Sequence, residues 1–226
     1  MPQQPEVAGL VVDVDGTLLD TNYLHVTAWA RALHEQGFDD VTMSEIHRAI
    51  GLPSDRLVRH LTGRDSQAAS EAHSEYFAEI RDRAHALPEA GRLLRQCRDG
   101  GWTVVLVTSG AQDDLDWMLP LLDADDAIES ITTSSDVGQG KPDPDPVQTT
   151  LERHGLDPSH TVSVGDSTWD ILAARRAGID CLAFTSGGIA EAELRDAGAL
   201  EVYAGPANLL EQLGRSRLAS ARGAAS

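Results

Sequence analysis

The chain has 226 residues, of which 41% are hydrophobic, and a formal net charge of -18 at pH 7. This length can bury a substantial core, while the negative charge repels nucleic acid backbones and anionic membrane surfaces, so neither is an expected partner. No run approaches the roughly 20 apolar residues that cross a bilayer, and residues 1–6 lack a basic region followed by an apolar one, so we expect a cytoplasmic protein.

The first predicted element is a strand over residues 6–14, which ends at two aspartates. The segment Val11-Val12-Asp13-Val14-Asp15 is apolar except for Asp13 and Asp15. Because a strand alternates its faces, both carboxylates project to the same side unless the chain has already turned at Gly16. Close like charges raise one another's pKa values unless a cation or a shared proton relieves them. The pair therefore indicates chemistry.

Residues 20–87 contain helical patterns with no strand-like run between them. The helical segments are predicted at residues 25–36, 44–50, 55–61 and 66–86. We therefore predict a helical cap domain over residues 20–87, inserted into an α/β catalytic core formed by residues 1–19 and 88–226. A cap over the strand ends would close the site.

Strands and helices alternate in the rest of the chain. Strands are predicted at residues 102–107, 130–134, 161–164 and 179–184, and helices at 88–98, 112–119, 146–154 and 168–177. Continuous apolar runs of this length fit strands that are covered on both faces. The pattern predicts an α/β fold with a doubly wound parallel sheet. Residues 215–226 lack an apolar stripe and are predicted to be a disordered tail.

Polar side chains follow the predicted strands. Thr108-Ser109-Gly110 ends the second strand just before a helical segment, where free backbone N–H groups would suit an anion. Lys141 is the only lysine of the chain and lies in a proline-rich loop, which indicates a site for a compact ammonium unless codon use explains it. Asp166 and Asp170 follow the fourth strand.

Four aspartates are thus expected to converge at the carboxyl ends of two strands. Ligands bind at this edge of an open α/β sheet, near the topological switch point. One lysine cannot offset four negative charges. Mg²⁺ is the natural complement, because it is a hard cation that takes carboxylate, carbonyl and water oxygens.

With these motifs the chain resembles the haloacid dehalogenase superfamily of phosphohydrolases, in the group that has a helical cap after the first strand and includes phosphoglycolate phosphatase and beta-phosphoglucomutase. The resemblance covers about residues 7–213 and implies a Rossmann-like core. The family's motifs occur in its order, as Asp13-Val14-Asp15-Gly16-Thr17, Thr108, Lys141 before Pro142, and Gly165-Asp166 with Asp170.

The resemblance implies a phosphatase that acts on a small phosphorylated substrate with Mg²⁺. Asp13 would be the nucleophile that forms an aspartyl-phosphate. Asp15 would protonate the leaving oxygen and then deprotonate water, which needs a raised pKa at the first step. The Mg²⁺ ligands would be Asp13, the Asp15 backbone carbonyl and Asp166, with Asp170 holding a metal-bound water or Lys141. The implied phosphate-binding residues are Gly16, Thr17, Thr108, Ser109, Gly110 and Lys141.

Substrate choice is expected to lie in the cap. Residues 49–56 resemble the loop that caps of this group lower over the active site. Arg48, Arg56 and Arg59 are candidates to pair with a second anionic group such as a carboxylate, with solvated helix faces as the alternative. His25 is a candidate to face the leaving group, a packed or exposed histidine being equally compatible with the sequence.

Three other functions are open at this point. A phosphomutase can share Asp13 and Asp15, but the mutase pattern has an acidic residue where this chain has Gly165, and a basic cap that includes lysine. A signalling receiver also accepts a phosphoryl group at a strand-end aspartate, but it is about half this length and has no cap. A catalytically silent binding protein is the third. A monomer is expected, with a homodimer as the alternative.

Overall fold

The computed structural model describes residues 7–219, which contain six strands and ten helices. The strands are β1 (Val7–Val12), β2 (Thr103–Val107), β3 (Ser130–Thr132), β4 (Leu156–Gly165), β5 (Asp180–Phe184) and β6 (Glu201–Tyr203). The helices are α1 (Asn22–Glu35), α2 (Met43–Ala49), α3 (Ser54–Thr62), α4 (Gln67–Ala78), α5 (Ala90–Asp99), α6 (Leu115–Leu122), α7 (Asp145–His154), α8 (Thr168–Arg176), α9 (Glu191–Ala197) and α10 (Pro206–Gln212). None of these helices is long and apolar enough to cross a bilayer.

All six strands are parallel and form one sheet in the order β3-β2-β1-β4-β5-β6. Strands β2 and β3 lie on one side of β1, and β4 lies on the other. Val11 of β1 therefore lies between Val105 and Ser163. The order therefore reverses at β1, and a crevice opens at its carboxyl end. This arrangement confirms the predicted doubly wound parallel sheet.

Apolar side chains cover both faces of the sheet, as the continuous apolar runs predict. In β5, Leu182 and Phe184 pack into the core on one face, while Cys181 and Ala183 pack into a second buried cluster on the other. This alternation follows from the period of two in a strand. The strands are therefore buried between two apolar layers.

Helices α1 to α4, called the cap helices below, have their own buried apolar cluster. It includes Val26, Trp29, Ile46 and Leu57, which lie on three different helices. The chain enters and leaves this region on adjacent antiparallel segments, since an isolated bridge joins Leu19 to Ala86. A cap domain over residues 20–87 remains a prediction, but the helices, the cluster and the paired entry and exit segments support it.

Helix α4 is shorter than predicted. It begins after Ser66, whose hydroxyl accepts a hydrogen bond from the Ala69 amide at 3.2 Å, but it ends at Ala78 rather than at residue 86. Residues 81–83 form a single 3-10 turn. The chain then becomes extended because it must pair with the segment that leaves β1, where the Leu87 amide donates to the Leu18 carbonyl at 2.8 Å.

The last part of the core differs most from the prediction. Strand β6 and helices α9 and α10, with three, seven and seven residues, are absent from the prediction. Within the predicted tail, Ser216 and Leu218 are buried, and the Leu218 carbonyl accepts a hydrogen bond from the Trp102 indole at 3.3 Å. Residues 1–6 and 220–226, which the predicted core and tail include, lie outside the described residues.

Candidate active site

Three buried aspartates meet at the crevice beside β1. Asp13 follows β1, Asp166 follows β4, and Asp170 lies in the first turn of α8. One oxygen from each lies within 4.8 Å of the others. The Asp13 amide donates to the Val164 carbonyl at 2.9 Å, so the sheet itself holds Asp13 next to the end of β4.

Glycine backbone packs directly against Asp166. At Gly16, whose φ is 74°, a Cβ atom would lie 2.4 Å from Asp166 Oδ2. At Gly187 it would lie only 1.7 Å from the same oxygen. Both positions require glycine, because atoms this close cannot coexist. Gly16 therefore makes room for a carboxylate, whereas the sequence resemblance assigns it to the phosphate.

Two polar side chains orient the Asp166 carboxylate. Asn22 Nδ2 donates to Asp166 Oδ2 at 2.7 Å, and Thr17 Oγ1 lies 3.0 Å from Asp166 Oδ1. The same Thr17 hydroxyl lies 3.1 Å from Asp13 Oδ2, although its single proton can serve only one acceptor at a time. Thr17 thus bridges two carboxylates, whereas the sequence resemblance assigns it to the phosphate.

Lys141 lies between two of the aspartates. Its ammonium forms ion pairs with Asp13 Oδ1 and with Asp170 Oδ1, the latter at 2.6 Å, and the residue is 3% exposed. The second oxygen of Asp170 accepts hydrogen bonds from the Ser167 amide and hydroxyl at 3.1 and 2.5 Å. Asp170 therefore contacts Lys141, which is one of the two roles that the resemblance implies for it.

The cluster carries more negative charge than Lys141 can offset. Burial, together with the charges of Asp170 and Asp15, raises the pKa of Asp13 to about 7 although Lys141 opposes this shift. Burial and the neighbouring carboxylates also raise the pKa of Asp166 well above its usual range. Burial disfavours the Lys141 charge, but Asp13 and Asp170 outweigh it and raise the pKa of Lys141. A divalent cation would relieve this crowding.

Asp15 is held by one of its two oxygens. Oδ1 accepts a hydrogen bond from the Thr21 hydroxyl at 2.6 Å and lies 3.4 Å from His25 Nε2. Burial opposes ionisation, but these contacts outweigh it and lower the pKa of Asp15, the reverse of the raised value that an acid requires. A phosphate ester beside Asp15 would raise that pKa again, because like charges disfavour ionisation. Oδ2 has no hydrogen-bond partner within residues 7–219.

A cavity of about 410 Å³ opens above Asp13 and Asp15 and is roofed by the cap helices. Ser109 and Gly110 line its core side, and His25 lines its cap side. The roof includes the predicted loop, whose Gly51 carbonyl accepts a hydrogen bond from the Ser109 hydroxyl at 3.0 Å. The other polar residues between positions 20 and 87 that line it are Ser54, Asp55, Gln67, Ser70, His73, Ser74 and Arg81.

Thr108 and Lys141 border a second, smaller cavity of about 190 Å³. Ser109 lines both cavities, so the two are adjacent. The Thr108 hydroxyl accepts a hydrogen bond from the Gly110 amide at 2.9 Å. The end of β2 therefore faces the same crevice as Lys141.

The arginines that were candidates for a second anionic group have partners within the protein. Arg48 pairs with Glu193, and Arg59 pairs with Asp65 on the surface at 2.7 Å. Neither lines the large cavity. Arg56 borders the smaller cavity, but its guanidinium forms an ion pair across to the core with Asp143. The described residues thus give these three arginines structural partners.

Sequence reasoning missed three residues at the site. Asn22 contacts Asp166, and Arg81 is the one arginine that lines the large cavity. His73 lies on the buried face of α4, four residues after Ala69 and four before Phe77. A histidine within an apolar stripe of this spacing was a usable signal, whereas nothing in the sequence distinguishes Arg81 from the other arginines.

Comparison with known proteins identifies a family and several relatives of this chain. The model of the haloacid dehalogenase-like hydrolases matches residues 10–184. A validoxylamine A 7'-phosphate phosphatase from Streptomyces hygroscopicus subsp. limoneus is 31% identical over 187 residues, which cover 80% of this chain and 86% of that protein. A phosphoglycolate phosphatase from Yersinia pestis is 30% identical over 190 residues, with 80% and 82% covered. The crystal structure of a hydrolase from Pseudomonas syringae is 33% identical, has a TM-score of 0.86 and covers 92% of this chain and 98% of that one.

Proposed function

Because this chain belongs to the haloacid dehalogenase-like hydrolase family, we propose that it is an Mg²⁺-dependent phosphatase that hydrolyses a small phosphate monoester through an aspartyl-phosphate at Asp13. One observation carries the proposal. The Asp13 carboxylate, ion-paired with Lys141, lines a cavity beside Asp15, whose Oδ2 has no partner among the described residues.

The proposed reaction uses these groups in two steps. An oxygen of Asp13 attacks phosphorus, and the bond from phosphorus to the ester oxygen breaks while Asp15 donates a proton to that oxygen. Asp15 then removes a proton from water, the water oxygen attacks phosphorus, and the bond to Asp13 breaks to release phosphate. Lys141 and Thr108 supply positive charge and a hydroxyl to the phosphoryl oxygens as charge shifts between them.

The residues present fit Mg²⁺. Asp13, Asp166 and the backbone carbonyl of Asp15 would hold it, all of them hard oxygen donors. Asn22 Oδ1 supports this fit, because it is a buried oxygen without a hydrogen-bond partner in the described residues. When bound, Mg²⁺ would supply the positive charge that neutralises the phosphoryl oxygens.

We expect Asn22 to tune the affinity for Mg²⁺. Its amide nitrogen faces two acceptors, Asp166 Oδ2 and the Gly187 carbonyl at 3.3 Å, so the side chain fixes how Asp166 is presented. Asn22→Ala should weaken Mg²⁺ binding about 10- to 100-fold in isothermal titration calorimetry, as is typical for residues that orient metal ligands. Asn208→Ala is the matched control, because Asn208 lies in α10 and its side-chain oxygen accepts from the Ala204 amide at 3.2 Å. Equal dissociation constants for Asn22→Ala and wild type would contradict this role.

Water, rather than a second substrate hydroxyl, is the proposed phosphoryl acceptor. A Cβ atom at Gly165 would lie 2.4 Å from the Asp170 side chain, so the acidic residue of the mutase pattern could not be accommodated without displacing Asp170. No lysine is available in the cap, because Lys141 is the only one in the chain. A hydrolase releases one inorganic phosphate per ester consumed, whereas a mutase returns an isomeric ester.

The cavity favours a substrate rich in hydroxyl groups, such as a sugar phosphate, over phosphoglycolate. Ser70, Ser74 and Gln67 line its roof and offer neutral hydrogen bonds. The three arginines predicted to recognise a carboxylate, Arg48, Arg56 and Arg59, pair instead with acidic residues of the protein, and Arg81 is the arginine that lines the cavity among the described residues. We propose a sugar-phosphate-like substrate on these grounds.

A panel of phosphate esters tests the proposed function. It contains an aryl phosphate, phosphorylated sugars, short phospho-acids including phosphoglycolate, and nucleotides. We expect Mg²⁺-dependent phosphate release that EDTA abolishes, with the best kcat/KM on a sugar phosphate. A wild-type protein that is inactive with every ester would refute the enzymatic proposal and favour a binding protein.

A further inference from the structure

Two histidines of the cap helices form a row that ends at the candidate acid/base residue. His25 in α1 places Nε2 3.4 Å from Asp15 Oδ1 and Nδ1 3.1 Å from His73 Nε2 in α4. Aromatic rings hold both imidazoles in place. The Trp29 ring stacks on His73 with centroids 4.1 Å apart, and Phe77 stacks on His25 with centroids 3.9 Å apart. The mechanism above uses neither histidine.

The contact between the two imidazoles requires one proton, from one ring or the other. If His25 donated it, His73 would carry its own proton on Nδ1, which is buried and has no partner in the described residues. A buried N–H without an acceptor is costly and rare. If His73 instead donates from Nε2, its buried Nδ1 carries a lone pair and no proton. The geometry therefore favours His73 as the donor.

This direction sets the proton on His25. Because His25 Nδ1 accepts from His73, a neutral His25 carries its proton on Nε2, the nitrogen that faces Asp15. Burial and the neighbouring His25 lower the pKa of His73 well below its usual range, so His73 stays neutral. The row then presents an N–H group to the Asp15 carboxylate.

The contacts of Asp15 show what this N–H group does. Both Thr21 and His25 contact Oδ1, and Oδ2 has no hydrogen-bond partner within residues 7–219. A carboxylate held by one oxygen cannot rotate freely, so its other oxygen keeps one direction. Since Asp15 lines the cavity, that oxygen is the one available to the ester and then to water.

We propose that His73 is a positioning residue that acts through His25 to hold Asp15 with Oδ2 available for proton transfer. The catalytic part of this inference rests on the proposed phosphatase function. His73 itself belongs to the cap, so the helix that roofs the cavity also contributes to the geometry of the acid/base residue in the core.

Two substitutions separate positioning from packing. His73→Phe keeps an aromatic ring against Trp29 but removes the donor, whereas His73→Gln retains an N–H donor close to the position of Nε2. We expect His73→Phe to lower kcat about tenfold with KM within a factor of two, since misplacing a reacting group costs rate rather than binding. His73→Gln should recover most of that loss. His34→Gln, an exposed position on α1, is the control and should match wild type.

The tautomer of His25 provides a second test, which does not depend on catalytic turnover. Nitrogen-15 NMR should show His25 protonated on Nε2 with a bare Nδ1 in wild type, and a mixture of tautomers in His73→Phe. A wild-type His25 protonated only on Nδ1, or a folded His73→Phe variant with unchanged kcat, would overturn the inference. If wild type hydrolyses no ester, the proposed function fails, and the NMR result still decides whether His73 orients His25.

Discussion

Asp13→Asn should reduce turnover of every phosphate ester by about 10⁴-fold or more, the scale seen when a covalent nucleophile is removed. An amide is almost isosteric with the carboxylate but is too weak a nucleophile to attack phosphorus. The measurement is kcat on an aryl phosphate at saturating Mg²⁺. The fold should persist, because Lys141 keeps its second ion pair with Asp170.

The stability of Asp13→Asn shows whether a loss of activity comes from the lost nucleophile or from unfolding. Asp13→Asn removes one of three crowded carboxylates whose burial is unfavourable, so we expect its melting temperature in metal-free buffer to be at least that of wild type. A folded variant that retains more than a few per cent of the wild-type kcat would show that Asp13 does not carry the phosphoryl group.

Replacing Lys141 should damage both stability and catalysis. Lys141→Met leaves Asp13 and Asp170 buried without their cation, and breaking a buried ion pair from one side costs about 3 kcal/mol or more. The substitution also removes a charge that stabilises the transferring phosphoryl group, a loss of about 10² to 10³ in kcat. Urea unfolding and steady-state kinetics measure the two effects separately.

Lys141→Arg tests more sharply why position 141 requires a lysine, the only one in the chain. Arginine keeps the charge, but its planar guanidinium is larger than an ammonium. Its donors form a rigid fork that suits bidentate binding of a single carboxylate. Lys141 is 3% exposed, and its compact ammonium lies between two carboxylates. We expect Lys141→Arg to retain less than a tenth of the wild-type kcat. Full activity in Lys141→Arg would show that charge alone matters.

The core of the site was predictable because it lies at the ends of strands. Once an apolar run is recognised as a strand of a parallel sheet, the residues after it must lie at one edge of that sheet. This reasoning brings Asp13, Asp166 and Asp170 together, and the structure places them within 4.8 Å of one another. The sheet order confirms the doubly wound fold, and the family model and relatives confirm the family.

The cap was less predictable because its contacts depend on tertiary packing. Arg48 and Arg56 appear on helix patterns as available cations, but only the folded chain shows Glu193 and Asp143 opposite them. His73 likewise acquires its meaning from His25, which lies 48 residues earlier on another helix. Helix periodicity identifies the face on which a residue lies and does not identify what lies across from it.

Short elements and local hydrogen bonds account for the remaining differences. Strand β6 has three residues and contains Glu201, so it lacks the apolar run that identifies a strand. The lowered pKa of Asp15 depends on contacts with Thr21 and His25 that span the turn after β1. These features arise once the fold has formed, and no pattern in the sequence encodes them alone.

The phosphorylated state of Asp15→Asn tests the account most directly. An aryl phosphate has a good leaving group, so Asp13 should be phosphorylated without help from an acid, whereas hydrolysis of the aspartyl-phosphate needs Asp15 as the base. Asp15→Asn mixed with an aryl phosphate and Mg²⁺ should therefore release one equivalent of phenolate in a burst. Mass spectrometry after acid quench should find a phosphoryl group on the peptide that contains Asp13. No burst and an unmodified peptide, or a phosphoryl group on another residue, would contradict the proposed mechanism.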